Sequence, residues 1–238
     1  MTALSAPSVG GAGWRVSPTW RRVLLLAPPL VLAAWTVLHP RPDETDMQAV
    51  MDVATWFMAF HVIQLVLLGL VALSVLLLAE DLGRSSAWTT RLGVGAFLLF
   101  FGAYDSIAGI ATGLAMRTAR DLPAAQQDGV WETVKDWPGF EPSVFSLNVV
   151  ATLGWVVAVG ALAVAARRAG APRSQWILLA LAALFLMGGH PAPFGTLAFG
   201  CLFLAALLRE RSASRAASGP ATASRMEPSD AYSNPSEA

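Results

Sequence analysis

The sequence predicts an all-α protein, a polytopic helical membrane bundle, on three observations. Long apolar runs follow one another along the chain, giving a mean hydropathy of +0.55. Charged residues make up only 13%, against about 25% in an ordinary soluble domain. The basic residues collect beside alternate runs, as they do in helices threaded through a bilayer.

The runs define a six-helix transmembrane domain over 21–208, with spans at about 23–38, 54–79, 92–116, 144–166, 174–188 and 192–208. Residues 1–20 and 209–238 are rich in Ala, Ser and other small or polar residues, and are expected to be disordered. Crossing the hydrocarbon core takes about 20 residues at about 1.5 Å each. The stretch from Trp176 to Leu208 is long for one span and short for two. Gly188-Gly189-His190-Pro191-Ala192-Pro193 interrupts it, and two prolines with two glycines break a helix. Two short spans joined by a tight turn are therefore expected, the turn dipping below the membrane surface.

Arg21-Arg22, the pair Arg84 and Arg91, the group Arg167, Arg168 and Arg173, and the group Arg209, Arg211 and Arg215 mark the inner side. That parity requires six spans and puts both termini in the cytoplasm. Arg21-Arg22 is read as the flank of an uncleaved first span rather than as an export signal, since no small-residue cleavage site follows. Lys135 is the only lysine among 16 basic residues. With abundant alanine, this Arg bias suggests a GC-rich, bacterial origin and a plasma-membrane location.

Between the third and fourth spans, Val130, Trp131, Val134 and Trp137 recur at near-helical spacing within Gln126 to Trp137. They predict a short helix on the outer surface, with its tryptophans at the membrane interface. Thr45-Asp46-Met47-Gln48 fits a capping box at the start of the second helix.

The zero net charge excludes a nucleic-acid footprint. No Walker loop, G-x-S-x-G, C-x-x-C-H or H-E-x-x-H occurs, which leaves nucleotide and serine-nucleophile chemistry without support. The single cysteine, Cys201, rules out an internal disulfide and reads as a small hydrophobe. The lipid bilayer is the expected partner, with a membrane-protein partner or a second copy of the chain left open.

All three histidines and one carboxylate fall in or at the ends of the runs. Ionisable groups in a bilayer are costly unless paired, and mark functional sites by default. Gly95, Gly102 and Gly109 recur every seven residues, and Gly113 follows Gly109 at G-x-x-x-G spacing. A small-residue stripe lets helices approach closely. Asp105, three residues after Gly102 and four before Gly109, is expected on that inward face. His61 and Gln64 share a face of the second helix. His61 lies roughly 13 Å along the helix from Asp52, and Asp105 roughly 18 Å from Arg117. Both therefore sit in the outer half of the membrane, as do His39 and His190.

The expected site is His61, Asp105 and His190, serving as catalytic groups or as metal ligands, with His39 as a weaker fourth member. Imidazole and carboxylate together suit zinc or another divalent metal, and haem ranks below it. Metal or acid–base chemistry on a lipid or small molecule is the leading expectation. A proton-coupled small-molecule carrier and a non-catalytic accessory subunit are the alternatives.

Overall fold

The computed structural model describes residues 17–43, 45–80, 82–135, 137 and 146–217. They form eight α-helices and, among the described residues, no strand: α1 Pro18–Trp35, α2 Met47–Leu78, α3 Arg84–Tyr104, α4 Thr112–Ala119, α5 Ala124–Lys135, α6 Leu147–Arg168, α7 Arg173–Phe185 and α8 Phe194–Ala217. α3 and α4 are one continuous helical run, joined by a π-helical segment at Asp105–Ala111.

Four stretches are long and apolar enough to cross a membrane by length and composition: Pro18–Leu38, Met47–Leu78, Arg84–Ala119 and Leu147–Arg168. Arg173–Gly188 is apolar but shorter. The apolar part of α8 gives way to Arg209, Glu210 and Arg211 while the helix runs on to Ala217. The first part of the expected disordered tail is thus helical. The extreme N-terminus, up to residue 16, and the tail beyond 217 lie outside the described residues. Apolar side chains point outward along the bundle, Leu92 and Leu99 being about two-thirds exposed (69% and 68%).

α1 opens with Ser17 accepting a hydrogen bond from the Trp20 amide and Pro18 in the first helical position. Pro28 and Pro29 lie inside α1 and are buried. Proline at 28 lacks the N–H that would reach the Leu24 carbonyl. The Ser74 hydroxyl of α2 donates to that carbonyl instead, at 2.6 Å. A helix defect thereby becomes an interhelical bond.

The start of α2 corrects the capping-box reading. Asp46, not Thr45, caps the helix, accepting from the amides of Gln48 (2.9 Å) and Ala49 (3.4 Å). The Thr45 amide and hydroxyl are both committed to Asp43, at 2.9 and 2.7 Å. These bonds hold the Asp43 carboxyl below the usual carboxylate pKa. At its far end α6 closes on Gly170, with φ +73°. The Ala171 amide reaches back to the Ala166 carbonyl, and this Schellman turn makes the link to α7 short.

The helices close into a ring in which α1 packs on α2, α2 on α3 and α4, α3 on α6, α6 on α7, α7 on α8 and α8 on α1. α3 and α6 approach most closely at Gly93 and Gly154. A Cβ at Gly93 would lie 2.7 Å from the Gly154 carbonyl oxygen and the Ala158 amide. Gly95 and Gly102 have open space where a side chain would be, whereas Gly109 and Gly113 pack tightly on α2. The seven-residue glycine stripe is therefore not one face. The wider π turn at Asp105–Ala111 changes the helix phase between Gly102 and Gly109, and the packed glycine of α3 is Gly93.

The main core lines this ring around Phe97, Phe101, Trp155 and Phe199, and Trp155 Nε1 donates to the Ala182 carbonyl at 2.9 Å. Cys201 packs against it. A second, smaller core joins α5 to the ends of α2 and α4 through Val50, Met51, Met116 and Val134. Val134 is fully buried, and Trp131 and Trp137 pack against the same cluster. The predicted surface helix thus exists, but its apolar face and tryptophans cover protein. Arg120 fastens this corner by donating to the Met51 carbonyl.

Candidate metal centre

The site is built at the end of the bundle where α1 finishes and α2 begins. α1 ends in a 3-10 turn, Thr36–Leu38, which delivers His39. His61 is carried by α2, fourteen residues into the helix that Asp46 caps. His190 follows Gly189, whose φ of +103° is a conformation glycine adopts readily. The turn then passes through Pro191 and a cis Ala192–Pro193 bond into α8.

This turn is fastened to the end of α1. The Ala192 amide donates to the Thr36 carbonyl at 3.3 Å. The Arg41 guanidinium donates to the Ala192 carbonyl at 2.6 Å. The hydroxyls of Thr36 and Thr196 share a hydrogen bond of 2.8 Å. Gly195 permits the fit, since a Cβ there would lie 1.8 Å from the His190 carbonyl oxygen.

Three imidazoles meet as a result. His39, His61 and His190 each offer one donor atom, and these atoms all lie within 4.8 Å of one another. His39 Nδ1 is 2.6 Å from the Pro40 carbonyl, and His61 Nδ1 is 2.7 Å from the Phe57 carbonyl. A carbonyl only accepts, so each Nδ1 carries the proton and each Nε2 keeps its lone pair. Ligating histidines are commonly oriented by such a bond on the other ring nitrogen. His39 Nε2 lies 3.0 Å from His190 Nε2. Since His39 Nε2 is then an acceptor, His190 Nε2 is the donor of that pair.

Aromatic rings wall the cluster. His39 meets Phe60 edge-on at 4.8 Å between centroids, Phe57 leans on His61 at 4.5 Å, and Phe101 stands at 90° to His190 at 5.3 Å. Trp35 stacks on Phe60 at 5.0 Å, and its buried Nε1 has no hydrogen-bond partner. The imidazoles touch one another edge-on, with His39 and His190 centroids 4.8 Å apart. That contact leaves no room between them for the flat ring of a haem.

Asp105 opens the π segment and is fully buried. Its Oδ1 accepts from Gln64 Nε2 at 3.0 Å and lies 3.7 Å from His61 Nε2. Gln64 Oε1 and Asp105 Oδ2 are buried without a partner. The ring of His61 lies directly over Gly109, where a Cβ would fall 2.2 Å from His61 Cγ. The π geometry is supported by Thr112, whose hydroxyl reaches the Ile107 carbonyl five residues back at 3.0 Å. Such segments recur at functional sites.

Of the four residues expected from the sequence, the structure gathers all four in one neighbourhood, but their ranking changes. His39, expected as the weaker member, stands within the three-nitrogen set, and Asp105 pairs with His61 and Gln64 beside it. Sequence reasoning passed over Thr36, Arg41 and Gly195, which hold the His190 turn. Arg41-Pro-Asp after His39-Pro offered only the signal of a polar loop. Comparison of the chain with protein-family models, curated proteins and solved structures finds no match, and function has to be read from this geometry.

Proposed function

We propose that the chain is a six-span membrane protein with both termini cytoplasmic. In this reading it holds a divalent cation on His39, His61 and His190 in the outer half of the bilayer. The centre acts on a lipid or small amphiphilic molecule, with Asp105 beside it for acid–base work. The observation that carries the reading is the convergence of three imidazoles from three separate segments, two of them with Nδ1 tied to a backbone carbonyl. Three neutral imidazoles, with His190 binding through Nδ1 or through Nε2 after its proton moves to Nδ1, leave three lone pairs and an open fourth position, as in the catalytic form of zinc. A metal so held polarises a carbonyl or phosphoryl oxygen and activates water. The apolar outer surface and the aromatic wall favour a substrate that arrives from the lipid.

Metal analysis of the protein purified in detergent tests this. About one zinc or comparable ion per chain is expected, and His39→Ala, His61→Ala and His190→Ala should each lose it. A wild-type protein that neither retains a divalent metal nor takes one up on dialysis against it would overturn the reading. Reporter fusions after Leu208 and near Gln127 should report opposite sides of the membrane. The same side for both would remove the six-span arrangement.

A proton-coupled carrier is the second reading. It is favoured by the two irregular segments, the π turn at Asp105 and the broken turn at His190, which both border the site. Interrupted helices line the binding sites of many transporters. Proton-linked flux in proteoliposomes, without bound metal, would select it.

A further inference from the structure

We infer that Gln64 and Asp105 form the seat of a water molecule that fills the metal's fourth position, and that Gln64 is a positioning residue for it. The inference rests on the metal reading above. It begins from a count of donors and acceptors. Gln64 spends one amide hydrogen on Asp105 Oδ1. Gln64 Oε1 and Asp105 Oδ2 then remain buried and without a partner. Gln64 is 1% exposed and Asp105 0%, so bulk solvent does not reach them. Buried polar atoms are ordinarily satisfied, and an exception points to a missing partner.

With Asp105 ionised beside a bound cation, both orphan atoms are acceptors, and they belong to one hydrogen-bonded pair. The missing partner is therefore a donor. A single water brings two O–H donors and keeps lone pairs for a cation. Asp105 itself stands outside the set of three mutually close ligand atoms. Its Oδ1 is held by Gln64 and lies 3.7 Å from His61 Nε2. The donors that lie within 4.8 Å of one another are the three histidines, without the carboxylate. A carboxylate outside that set reaches a metal on the three nitrogens through a water. Gln64 lies three residues after His61 on α2, on the same face. One helix thus presents both a ligand and the amide that fixes the rotation of Asp105. With the Gln64 amide holding Oδ1, Oδ2 is left for the water.

The test uses the full chain in detergent, loaded with Cu²⁺ and transferred to D₂O. Pulsed EPR should show imidazole nitrogen couplings together with a strongly coupled exchangeable deuterium from coordinated water. Bound Cu²⁺ without such a deuterium would overturn the inference while leaving the metal reading intact. Failure of the wild-type chain to bind Zn²⁺ or Cu²⁺ would overturn both. Gln64→Leu should lower Zn²⁺ affinity in chelator competition by about 10–100-fold, the usual cost of losing a group behind the ligands. Gln64→Glu should largely restore it, because a neutral carboxyl donates to Asp105 and still accepts from water. Asp105→Asn, which keeps the volume and removes one acceptor, should show a loss of the same order. Wild-type affinity in both Gln64→Leu and Asp105→Asn would overturn the inference.

Discussion

Where α1 begins, charge faces charge; where α1 finishes, imidazole faces imidazole. At the first end Arg21 reaches Glu210 at 3.4 Å and Glu80 at 3.6 Å, and Arg22 reaches Glu210 at 3.5 Å. Arg209 donates to the Leu78 carbonyl at 2.6 Å, and Arg21 to that of Leu77 at 3.4 Å. These long side chains tie α1, α2 and α8 together several times over, and they remain partly solvated. At the second end the residues that follow α1 meet α8 and the turn before it through short contacts: Thr36 with Thr196, Arg41 with Ala192, His39 with His190. The arginine end is redundant, and each of its contacts is screened by water. The histidine end rests on a few short bonds around Thr36 and on imidazoles that are largely shielded from solvent. Substitutions of similar chemical size should therefore have unequal effects at the two ends.

The largest effect is expected from Gly109→Leu. Its Cβ alone would overlap the ring of His61, at 2.2 Å from Cγ. Overpacking of this kind costs about 1–3 kcal/mol or more, and here it also displaces a proposed ligand. A fall in thermal stability together with loss of bound metal is the expected result, read by melting in detergent and by metal analysis. Gly102→Ala is the internal contrast. Nothing lies within 4 Å of its Cβ position, and exchanging glycine for alanine in a helix favours folding by up to about 1 kcal/mol. Equal melting temperatures for these two variants would show that α2 and the π segment are not in close contact.

Thr36→Val should come next. It removes the hydroxyl shared with Thr196 while keeping the shape, for a net loss of about 1 kcal/mol. Because the Ala192 amide bond to the Thr36 carbonyl survives, metal affinity should weaken rather than vanish. Metal content equal to wild type under chelator challenge would mean that the His190 turn holds itself.

The smallest effect is expected at the arginine end. Glu210→Gln weakens both ion pairs to Arg21 and Arg22 at once, yet those arginines are 28% and 54% exposed at the side chain. Partly solvated pairs are worth about 0–1 kcal/mol, and metal content should not change. A melting shift as large as that of Gly109→Leu would abolish the contrast between the two ends.

Several parts of this arrangement are legible from residues alone. Long apolar runs force helices, and counting along them from charged ends places His61 and Asp105 at one depth. For His61 the count from Asp52 runs along regular helix; for Asp105 the count from Arg117 crosses the π segment, which shifts depth by less than one turn, and the two still meet. The count fails for the glycine stripe because it assumes a constant helical period. The π turn starting at Asp105 breaks that period, and no residue from Asp105 to Ala111 announces it. Thr45 and Asp46 are both good caps on paper. Asp43 decides between them by taking the Thr45 hydroxyl, a competition that spacing rules do not weigh. His39 stands at the end of the first apolar run, and the helical turn does end there. The same turn aims the imidazole inward and bonds its Nδ1 to the Pro40 carbonyl, a consequence of backbone geometry that composition does not carry.

The ring closure has a consequence for biosynthesis. His39 and His61 leave the ribosome early, whereas His190 belongs to the last pair of helices and reaches its partners only when α8 packs against α1. Chains fold in the order they are made, so a polypeptide arrested before the final hairpin would carry two imidazoles, one of them without its neighbour's N–H. Such a chain would hold metal weakly if at all. Competence to bind the ion would then report that insertion had run to completion, and an immature chain would be kept from capturing metal in the wrong geometry.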